Sequence, residues 1–340
     1  MNILITSAGR RGYIIDYFKS VLGNKGKVHA GNSTPFSAAF AHADKSVITP
    51  LIYSDEYIPF LLDYCKQNNI EIILSLFDVD LMILAKNKDK FAGEGITVIV
   101  SDCNVIEKCN DKWETYKFCL NEKIDAPKTF IDLNTVKDEI DAETLQFPLI
   151  IKPRWGMGSL QIYRAETMLE LDVLYEKCKR DINNTYLKYE SINDVENCVL
   201  IQETILGQEY GIDIINDLQG HFCKAVAKKK YALRAGETDC AEIISDKRID
   251  QFAENLGIKM AHIGNLDVDL FLSEGKIYLL EMNARIGGGF PFSYGAGVDL
   301  PKAIIKWVDG EALEDELEIK TYGKVMHKDI QLVDISKYIC

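Results

Sequence analysis

The length and charge of the chain exclude several kinds of protein. The chain has 340 residues, a net charge of −13 and 47% hydrophobic residues. This length suits two or three fused lobes rather than one small core, and this hydrophobic content is ordinary for a folded protein. Because the surface is acidic, we expect no non-specific binding to nucleic acid or to an anionic membrane. An anionic ligand would need specific cationic residues or a metal ion at its site to overcome the repulsion from this negative surface charge.

The cysteines and histidines show no spacing typical of a metal site. The nine cysteines contain no CxxC pair, and the five histidines show neither HxxxH nor HExxH spacing. We therefore expect reduced thiols and no zinc. The N-terminal apolar run is short and precedes its charges, the reverse of a secretory signal. No stretch approaches the roughly 20 apolar residues of a membrane helix, so we expect a cytoplasmic protein.

Residues 1–105 alternate between predicted strands and helices. Such alternation predicts a parallel sheet with helices on both faces, as in a Rossmann-like domain of the α/β class. Strands are predicted at 2–6, 28–31, 72–74 and 96–100, and helices at 12–22, 56–68 and 79–89.

Residues 106–310 combine helices with predicted antiparallel hairpins. Residues 209–230 alternate as in a half-exposed antiparallel sheet. The acidic run 311–318 predicts a solvated connection within a C-terminal extension, residues 311–340. Helices are predicted at 106–130, 166–182, 246–260 and 300–309, and strands at 147–152, 160–163, 199–203, 265–272 and 276–282.

Three polar residues alternate at the end of the last predicted strand. Since alternate residues of a strand share a face, Glu281, Asn283 and Arg285 point the same way. Carboxylate and amide oxygens suit Mg²⁺, and a guanidinium can hold a phosphoryl group through a forked contact. Asp267 or Asp269 on the preceding strand can add a second carboxylate. The alternative is a solvated sheet face with a local salt bridge.

A lysine and a glycine-rich loop form a second pattern. Lys152 closes an apolar strand and precedes Gly156, Gly158 and Ser159. Glycine lets backbone N–H groups approach phosphate oxygens, and lysine supplies a point charge. The alternative is an ordinary hairpin whose lysine extends to solvent.

A third segment, the apolar strand and loop at 199–210, could form an adenine slot with Glu209 at the ribose. Taken alone, this segment would be better explained as a plain strand and turn.

The order and spacing of these segments resemble the ATP-grasp superfamily over roughly residues 1–310. The resemblance is to the ATP-binding half of the carbamoyl-phosphate synthase large subunit and to amino-acid ligases. It implies an ATP-grasp fold and the cofactors ATP and Mg²⁺ (or Mn²⁺). The implied domains are a pre-ATP-grasp domain at 1–105 and an ATP-grasp domain at 106–310, divided into a glycine-loop lobe at about 115–200 and a nucleotide and metal lobe at about 201–310.

The resemblance also implies roles for individual residues. Ile205 would hold adenine through its backbone beside Glu203, and Arg285 would lie near the γ-phosphate. Arg234 falls where the family has a contact to phosphate or substrate. The implied catalytic residues are Arg285, Arg234 and Lys152, and the implied metal ligands are Asp269, Glu281 and Asn283. The implied nucleotide contacts are Lys112, Lys152, Gly156, Gly158, Ser159, Glu203, Ile205 and Glu209.

The chain departs from the synthase pattern in three places. Asp269 stands where the synthase has glutamine, and Ala284 stands where proline is common; neither change removes a ligand. The glycine run 287–289 resembles the amino-acid ligases more than the synthase. Its backbone N–H groups could hold a substrate carboxylate or a developing oxyanion.

Other enzyme classes fit the sequence poorly. Residues 7–12 mimic the dinucleotide fingerprint GxGxxG, but the acidic residue required about 20 positions later is absent. Residues 23–28 do not form a Walker A loop, and no GxSxG serine hydrolase motif occurs. Arg10 and Arg11 follow the first strand, where they could meet an acidic substrate or simply be surface charges.

The sequence therefore predicts an ADP-forming ligase that joins a small-molecule carboxylate to an amine through an acyl phosphate. The alternative is a carbamoyl-phosphate-synthase-like enzyme that phosphorylates bicarbonate, carbamate or another small molecule. A nucleotide-binding sensor without turnover is less favoured, because the whole polar set is present. The sequence does not identify the substrates, and the homodimer common in the superfamily stays open.

Overall fold

The computed structural model describes residues 1–192 and 194–339. The strands are β1 (Asn2–Thr6), β2 (Lys27–Asn32), β3 (Lys45–Ile48), β4 (Ile70–Ser75), β5 (Thr97–Ile99), β6 (Thr129–Phe130), β7 (Leu149–Pro153), β8 (Tyr163–Ala165), β9 (Val199–Glu203), β10 (Gln208–Asn216), β11 (Phe222–Arg234), β12 (Glu237–Ile244), β13 (Gly264–Ser273), β14 (Lys276–Asn283) and β15 (Val325–His327). The helices are α1 (Gly12–Leu22), α2 (Tyr57–Asn68), α3 (Asp78–Lys86), α4 (Lys88–Ala92), α5 (Cys103–Asn110), α6 (Lys112–Glu122), α7 (Leu133–Asp141), α8 (Met168–Asn183), α9 (Leu187–Glu190), α10 (Lys247–Met260), α11 (Phe290–Gly295) and α12 (Leu300–Val308).

The first sheet is parallel, in the order β3-β2-β1-β4-β5. Its central strands are continuous apolar runs, because both faces are buried: Ile3, Leu4 and Ile5 are fully buried in β1. The predicted parallel sheet is confirmed. The chain leaves β1 towards β2 on one side and later adds β4 on the other, so a crevice opens at the carboxyl ends of β1 and β4.

The second sheet is small and antiparallel, in the order β6-β9-β7-β8. The predicted hairpin around the glycine loop is confirmed, since β7 pairs with β8 through Leu149 opposite Ala165. The helix α8 buries Leu171 and Cys178 in the same hydrophobic cluster as Leu149. This packing fixes the base of the loop that connects β7 to β8.

The third sheet is antiparallel, in the order β14-β13-β10-β11-β12-β15. The predicted hairpin of the last two main strands is confirmed as β13 and β14, with Asp269 opposite Glu281 and Asp267 opposite Asn283. The prediction of a half-exposed strand at the start of 209–230 is wrong, because residues 210–216 of β10 are all buried. Ile212 lies in the core with α10, and the opposite face packs towards α11.

Three other sequence expectations are corrected by the structure. The helix predicted at 79–89 is divided into α3 and α4, and the helical region 106–130 consists of α5, α6 and the strand β6. The run 311–318 is not uniformly solvated: Glu316 is 3% exposed, because its carboxylate pairs with Lys302 at 3.1 Å and Lys306 at 2.7 Å. Beyond it, β15 extends the third sheet beside β12. Among the described residues, no helix is long and apolar enough to cross a membrane.

Candidate functional site

Two adjoining cavities lie where the three sheets meet. The first, the glycine-loop cavity, has a volume of about 450 Å³ and lies between the second and third sheets. The second, the junction cavity, has a volume of about 690 Å³ and lies between the crevice of the first sheet and the third sheet. Both are lined by Gly158, Lys230, Asp269 and Glu281, so the two cavities share a charged wall.

The two predicted phosphate-binding lysines both line the glycine-loop cavity, and they come from different elements. Lys112 begins α6; its ammonium donates a hydrogen bond to the Gly156 carbonyl and lies 3.9 Å from Glu281 Oε2. Lys152 is the penultimate residue of β7 and is buried, donating to Gln202 Oε1 at 2.8 Å. Burial, and then the nearby charge of Lys112, lower the pKa of Lys152 to about 8. These two cations therefore lie near the Glu281 carboxylate in the wall of the same cavity.

A buried ion pair that the sequence did not indicate fixes the start of α6. Asp111 caps this helix by accepting from the Trp113 backbone N–H at 2.9 Å. The same carboxylate accepts from Arg154 Nε at 2.8 Å and Nη2 at 2.7 Å, and Arg154 also pairs with Asp194 at 2.7 Å. Arg154 lies at the base of the glycine loop, so this pair ties the position of Lys112 to the loop.

The glycine loop approaches the third sheet closely. Gly156 and Gly158 have φ values of +142° and +63°, which disfavour other residues. Gly158, Ser159 and Gly156 all line the glycine-loop cavity. A Cβ at Gly236, in the turn between β11 and β12, would lie 2.5 Å from the Gly158 carbonyl carbon. The close approach of the loop to the turn between β11 and β12 therefore requires glycine at position 236.

The predicted adenine and ribose residues line the same cavity, but two of their carboxylates have partners in the protein. Glu203, Ile205 and Glu209 all lie in its wall. The Glu203 carboxylate accepts from the Lys128 backbone N–H at 2.7 Å. The Glu209 carboxylate accepts from the ammonium of Lys230 at 2.7 Å. A ribose at Glu209 would share that carboxylate with Lys230.

The three predicted metal ligands lie along the β13–β14 hairpin. Asp269 and Glu281 are opposite each other and line both cavities, whereas Asn283 lines the junction cavity. Burial, and then the carboxylates of Asp267 and Glu281, raise the pKa of Asp269 to about 7. Lys230 contacts Asp269 at 2.5 Å. Two carboxylates and an amide oxygen suit Mg²⁺, which prefers hard oxygen ligands.

Lys230 is a site residue that the sequence analysis missed. It is 8% exposed and lies between Glu209 and Asp269. Burial opposes its charge, but the two carboxylates outweigh burial and raise its pKa. Its place in the run of lysines at 228–230 gave no reason to single it out.

The two predicted arginines lie in different surroundings. Arg285 is buried and lines the junction cavity, where it pairs with Asp267 at 2.7 Å and with Asp78 at 3.2 Å. Asp78 begins α3, so Arg285 joins the third sheet to the first. Arg234 lines neither cavity; its side chain is 48% exposed and pairs with Asp239 at 2.8 Å. In this structure Arg234 is therefore not assembled with the other site residues.

The junction cavity also contains the glycine run and the two arginines after β1. Gly288 and Gly289 line it, as do Arg10 and Arg11. Arg11 donates to the carbonyls of Leu76 at 2.9 Å and Ile286 at 3.1 Å. The first of these bonds is within the first sheet's crevice, and the second reaches the loop after β14, so Arg11 helps hold the two sides of the cavity together.

Comparisons with known proteins agree with this architecture. Residues 3–99 match the family model of the PylC-like N-terminal domain, and residues 196–329 match the model described as ATP-grasp in the biosynthetic pathway with Ter operon. The carbamoyl phosphate synthase large chain of Rhizobium meliloti (strain 1021) is 23% identical over 249 residues, which are 68% of this chain and 21% of that protein. That of Clostridium perfringens (strain SM101 / Type A) is 23% identical, covering 89% of this chain and 27% of that protein. The chain thus spans about a quarter of the length of these relatives.

Solved structures share the fold over almost the whole chain. Biotin carboxylase from Campylobacter jejuni superposes with a TM-score of 0.69 and 16% identity, covering 93% of this chain and 72% of that one. The L-amino acid ligase from Bacillus licheniformis gives a TM-score of 0.66 and 18% identity, covering 95% of this chain and 78% of that one. The chain therefore has the fold of the ATP-grasp enzymes, with one segment similar to a PylC-like N-terminal domain and a later segment similar to an ATP-grasp domain.

Proposed function

We propose that this protein is an ATP-dependent ligase that activates a small-molecule carboxylate as an acyl phosphate and transfers the acyl group to an amine. The observation that carries the proposal is the shared wall of the two cavities. Asp269, Glu281 and the glycine loop border both, so a nucleotide in one cavity would meet a substrate in the other at these residues.

The glycine-loop cavity has the parts that a nucleotide requires. Ile150, Phe271 and Leu280 supply apolar surface for the adenine base. Lys112 and Lys152 line the same cavity. Structures of the same fold include complexes with ADP, among them the N5-carboxyaminoimidazole synthetase from Staphylococcus aureus. These points support ATP as the nucleotide.

The oxygen donors of the β13–β14 hairpin fit a divalent cation. Asp269 and Glu281 face each other across the hairpin, and Asn283 follows on the same face of β14. Bound there, Mg²⁺ would neutralise charge on the phosphates. Burial, and after it the carboxylates of Asp267 and Glu281, raise the pKa of Asp269 although Lys230 opposes them, and a bound cation would favour the ionised form of this carboxyl.

The chain's own residues supply the remaining requirements of the reaction. A carboxylate is a poor electrophile, because its oxygen is a poor leaving group; phosphorylation makes that oxygen a good one. Lys112 and Lys152 would stabilise the charge on the transferring phosphoryl group. The backbone N–H groups of Gly288 and Gly289 would face the oxyanion formed when the amine attacks. The glycine loop would exclude water, which otherwise hydrolyses the acyl phosphate.

Arg285 would act mainly by holding neighbouring residues of the site in place. Its two carboxylate partners already neutralise it, so it can approach a phosphoryl group only if one of those contacts loosens. We therefore assign it to the alignment of Asn283 and the glycine run, with a phosphoryl contact dependent on movement of Asp78.

The proposal is tested with isotopic oxygen. A panel of acids and amines is screened for ADP and phosphate release, and the active acid is then supplied with ¹⁸O in its carboxylate. Label should appear in the released phosphate, because one carboxylate oxygen leaves with the phosphoryl group. Release of AMP and pyrophosphate, or of phosphate without label, would contradict the proposal.

A second candidate is an enzyme that phosphorylates bicarbonate or carbamate. The matches to carbamoyl phosphate synthase large chains favour it. The glycine run 287–289 and the larger junction cavity favour the ligase, since bicarbonate needs little space. ADP release that requires bicarbonate alone, and no organic acid or amine, would select the second candidate.

A further inference from the structure

One end of the junction cavity is built by the first sheet and is unusually rich in positive charge. Arg10 and Arg11 lie in the turn between β1 and α1, and Glu237 begins β12 on the opposite side. Lys328, just after β15, forms an ion pair with Glu237. We call this group the distal cluster: Arg10, Arg11, Glu237 and Lys328.

The charges of the distal cluster do not cancel. Arg11 Nη2 lies 3.0 Å from Glu237 Oε1, and Lys328 Nζ lies 3.6 Å from Glu237 Oε2. Each oxygen of the carboxylate is therefore already next to a cation. Although burial alone would raise the pKa of Glu237, Arg11, then Lys328 and then Arg10 outweigh it and lower that pKa. One ionised carboxylate is thus shared by the cations around it, and its single negative charge leaves a third cation in surplus.

Arg10 is that third cation. It is exposed, lines the junction cavity, and makes no hydrogen bond or ion pair with the part of the chain that the structure describes. The other cations in the cavity wall, which are Arg11, Lys230 and Arg285, all have carboxylate partners. In a protein with a net charge of −13, a surplus cation at a cavity is a local exception.

An unused hydroxyl lies at the same end. Tyr13 lines the cavity, and its hydroxyl is buried without a hydrogen-bond partner among the described residues. Burial raises its pKa, so the hydroxyl keeps its proton and can donate it to an acceptor. A buried hydroxyl is normally hydrogen-bonded, and an anionic oxygen would satisfy this one.

Another part of the cavity wall has the reverse character. Asp269, Glu281 and Asn283 present oxygens there, and the two cations of that part, Lys230 and Arg285, are neutralised by carboxylate partners. The surplus positive charge of the cavity wall is therefore confined to the distal cluster.

We propose that the distal cluster is an anion subsite, in which Arg10 and the Tyr13 hydroxyl bind a carboxylate or phosphate group that one of the two substrates carries in addition to the carboxylate that is activated. This inference rests on the proposed ligase function and names a chemical class for its substrate. A simple monocarboxylic acid and an uncharged amine would leave Arg10 unused.

The experiment compares substrates in matched pairs that differ only in the distal charge. The pairs are a dicarboxylic acid and its monoamide, an α-amino acid and its amide as the amine, and a phosphorylated amine and its alcohol. ADP release gives kcat/KM for each. Binding of the same compounds to enzyme loaded with magnesium and a non-hydrolysable ATP analogue is measured by calorimetry, which does not depend on turnover.

The wild-type protein should prefer the charged member of at least one pair by about tenfold or more, as expected for a charge-assisted hydrogen bond. Arg10→Gln should reduce that preference to about twofold, because kcat/KM falls for the charged member. Arg180→Gln, which changes an exposed arginine of α8, should keep the full preference. The pair that responds shows whether the anion is a carboxylate or phosphate and which substrate carries it.

Two results would overturn the subsite. One is turnover in which the wild-type protein treats both members of every pair alike; the ligase function would then stand without it. The other is a preference that Arg10→Gln retains. If no pair is turned over, the ligase proposal fails, and the calorimetric binding data then test the anion subsite alone. Tighter binding of the charged probe that is lost in Arg10→Gln would support the anion subsite. Equal binding of the charged and uncharged probes would reject it.

Discussion

Replacing Lys152 with methionine should weaken nucleotide binding strongly while leaving stability almost unchanged. Lys152 is 4% exposed, and its ammonium donates to the neutral oxygen of Gln202 at 2.8 Å. Methionine retains most of the volume and removes a buried cation that lacks a close carboxylate partner. The lost hydrogen bond and the relieved desolvation act in opposite directions, so the free energy of unfolding should change by about 1 kcal/mol or less.

The effect on ATP should be much larger. A hydrogen bond between a cation and a phosphate contributes about 1.5–3 kcal/mol, which corresponds to about 10- to 150-fold weaker binding. Calorimetric titration with a non-hydrolysable ATP analogue measures the affinity, and urea denaturation measures the stability. The matched control is Lys128→Met, an exposed lysine of the same lobe whose ammonium donates to the Thr144 carbonyl at 2.9 Å; its ATP affinity should be that of the wild type.

The pH dependence gives an independent measurement. Because burial and then Lys112 lower the pKa of Lys152 to about 8, the free enzyme loses this positive charge as the pH rises through 8. The kcat/KM for ATP, which reports the free enzyme, should therefore fall above pH 8 in the wild type, and Lys152→Met should lack that step. ATP affinity of Lys152→Met within twofold of the wild type, or a large loss of stability in that variant, would contradict the prediction.

Three further predictions concern the metal ligands, the glycine run and the C-terminal extension. Glu281→Gln should lower kcat by about 10²-fold or more with the circular dichroism spectrum unchanged, since it removes charge from a partly exposed ligand. Gly287→Ala should destabilise the protein by about 1–3 kcal/mol in urea denaturation, because the added Cβ would lie 2.2 Å from the Asp267 carboxylate. Glu316 has its pKa lowered to about 2 by its lysine partners and a backbone N–H, against the effect of burial. Its stabilisation is therefore complete above about pH 4.5 and lost as the pH falls towards 2, and Glu316→Gln should flatten this part of the stability profile.

Each of these variants has a control of the same chemistry. Glu274→Gln, in the β13–β14 turn, should retain activity. Gly93→Ala, where the nearest atom to a new Cβ is 3.5 Å away and φ is −60°, should be tolerated. Glu318→Gln, at an exposed position, should leave the acid profile unchanged. Normal turnover in Glu281→Gln, wild-type stability in Gly287→Ala, or an unchanged acid profile in Glu316→Gln would each contradict its prediction.

Much of the fold was predictable because the pattern of apolar and polar residues within each short segment indicates which helix or strand that segment forms. The apolar runs of β1 and β4 indicated a parallel sheet buried on both faces. The two-residue period of β13 and β14, with a turn at 273–275, predicted a hairpin in which Asp267 or Asp269 would add a carboxylate to Glu281, and the structure places Asp269 opposite Glu281. The local pattern also placed Lys152 near the end of a strand, and the fold brings it into one cavity with Lys112, which the family resemblance implied.

The sequence by itself determined which elements form and which polar residues they carry, whereas the tertiary structure alone decided which charges meet. Arg285 was expected at a phosphate, yet it pairs with Asp78, which lies 207 positions away. Lys230 joins two carboxylates of neighbouring strands, and Glu316 is buried beside lysines of α12. Periodicity specifies a face of a strand or helix, but the partner of a charge depends on how separate sheets dock and on which groups lose water when they do.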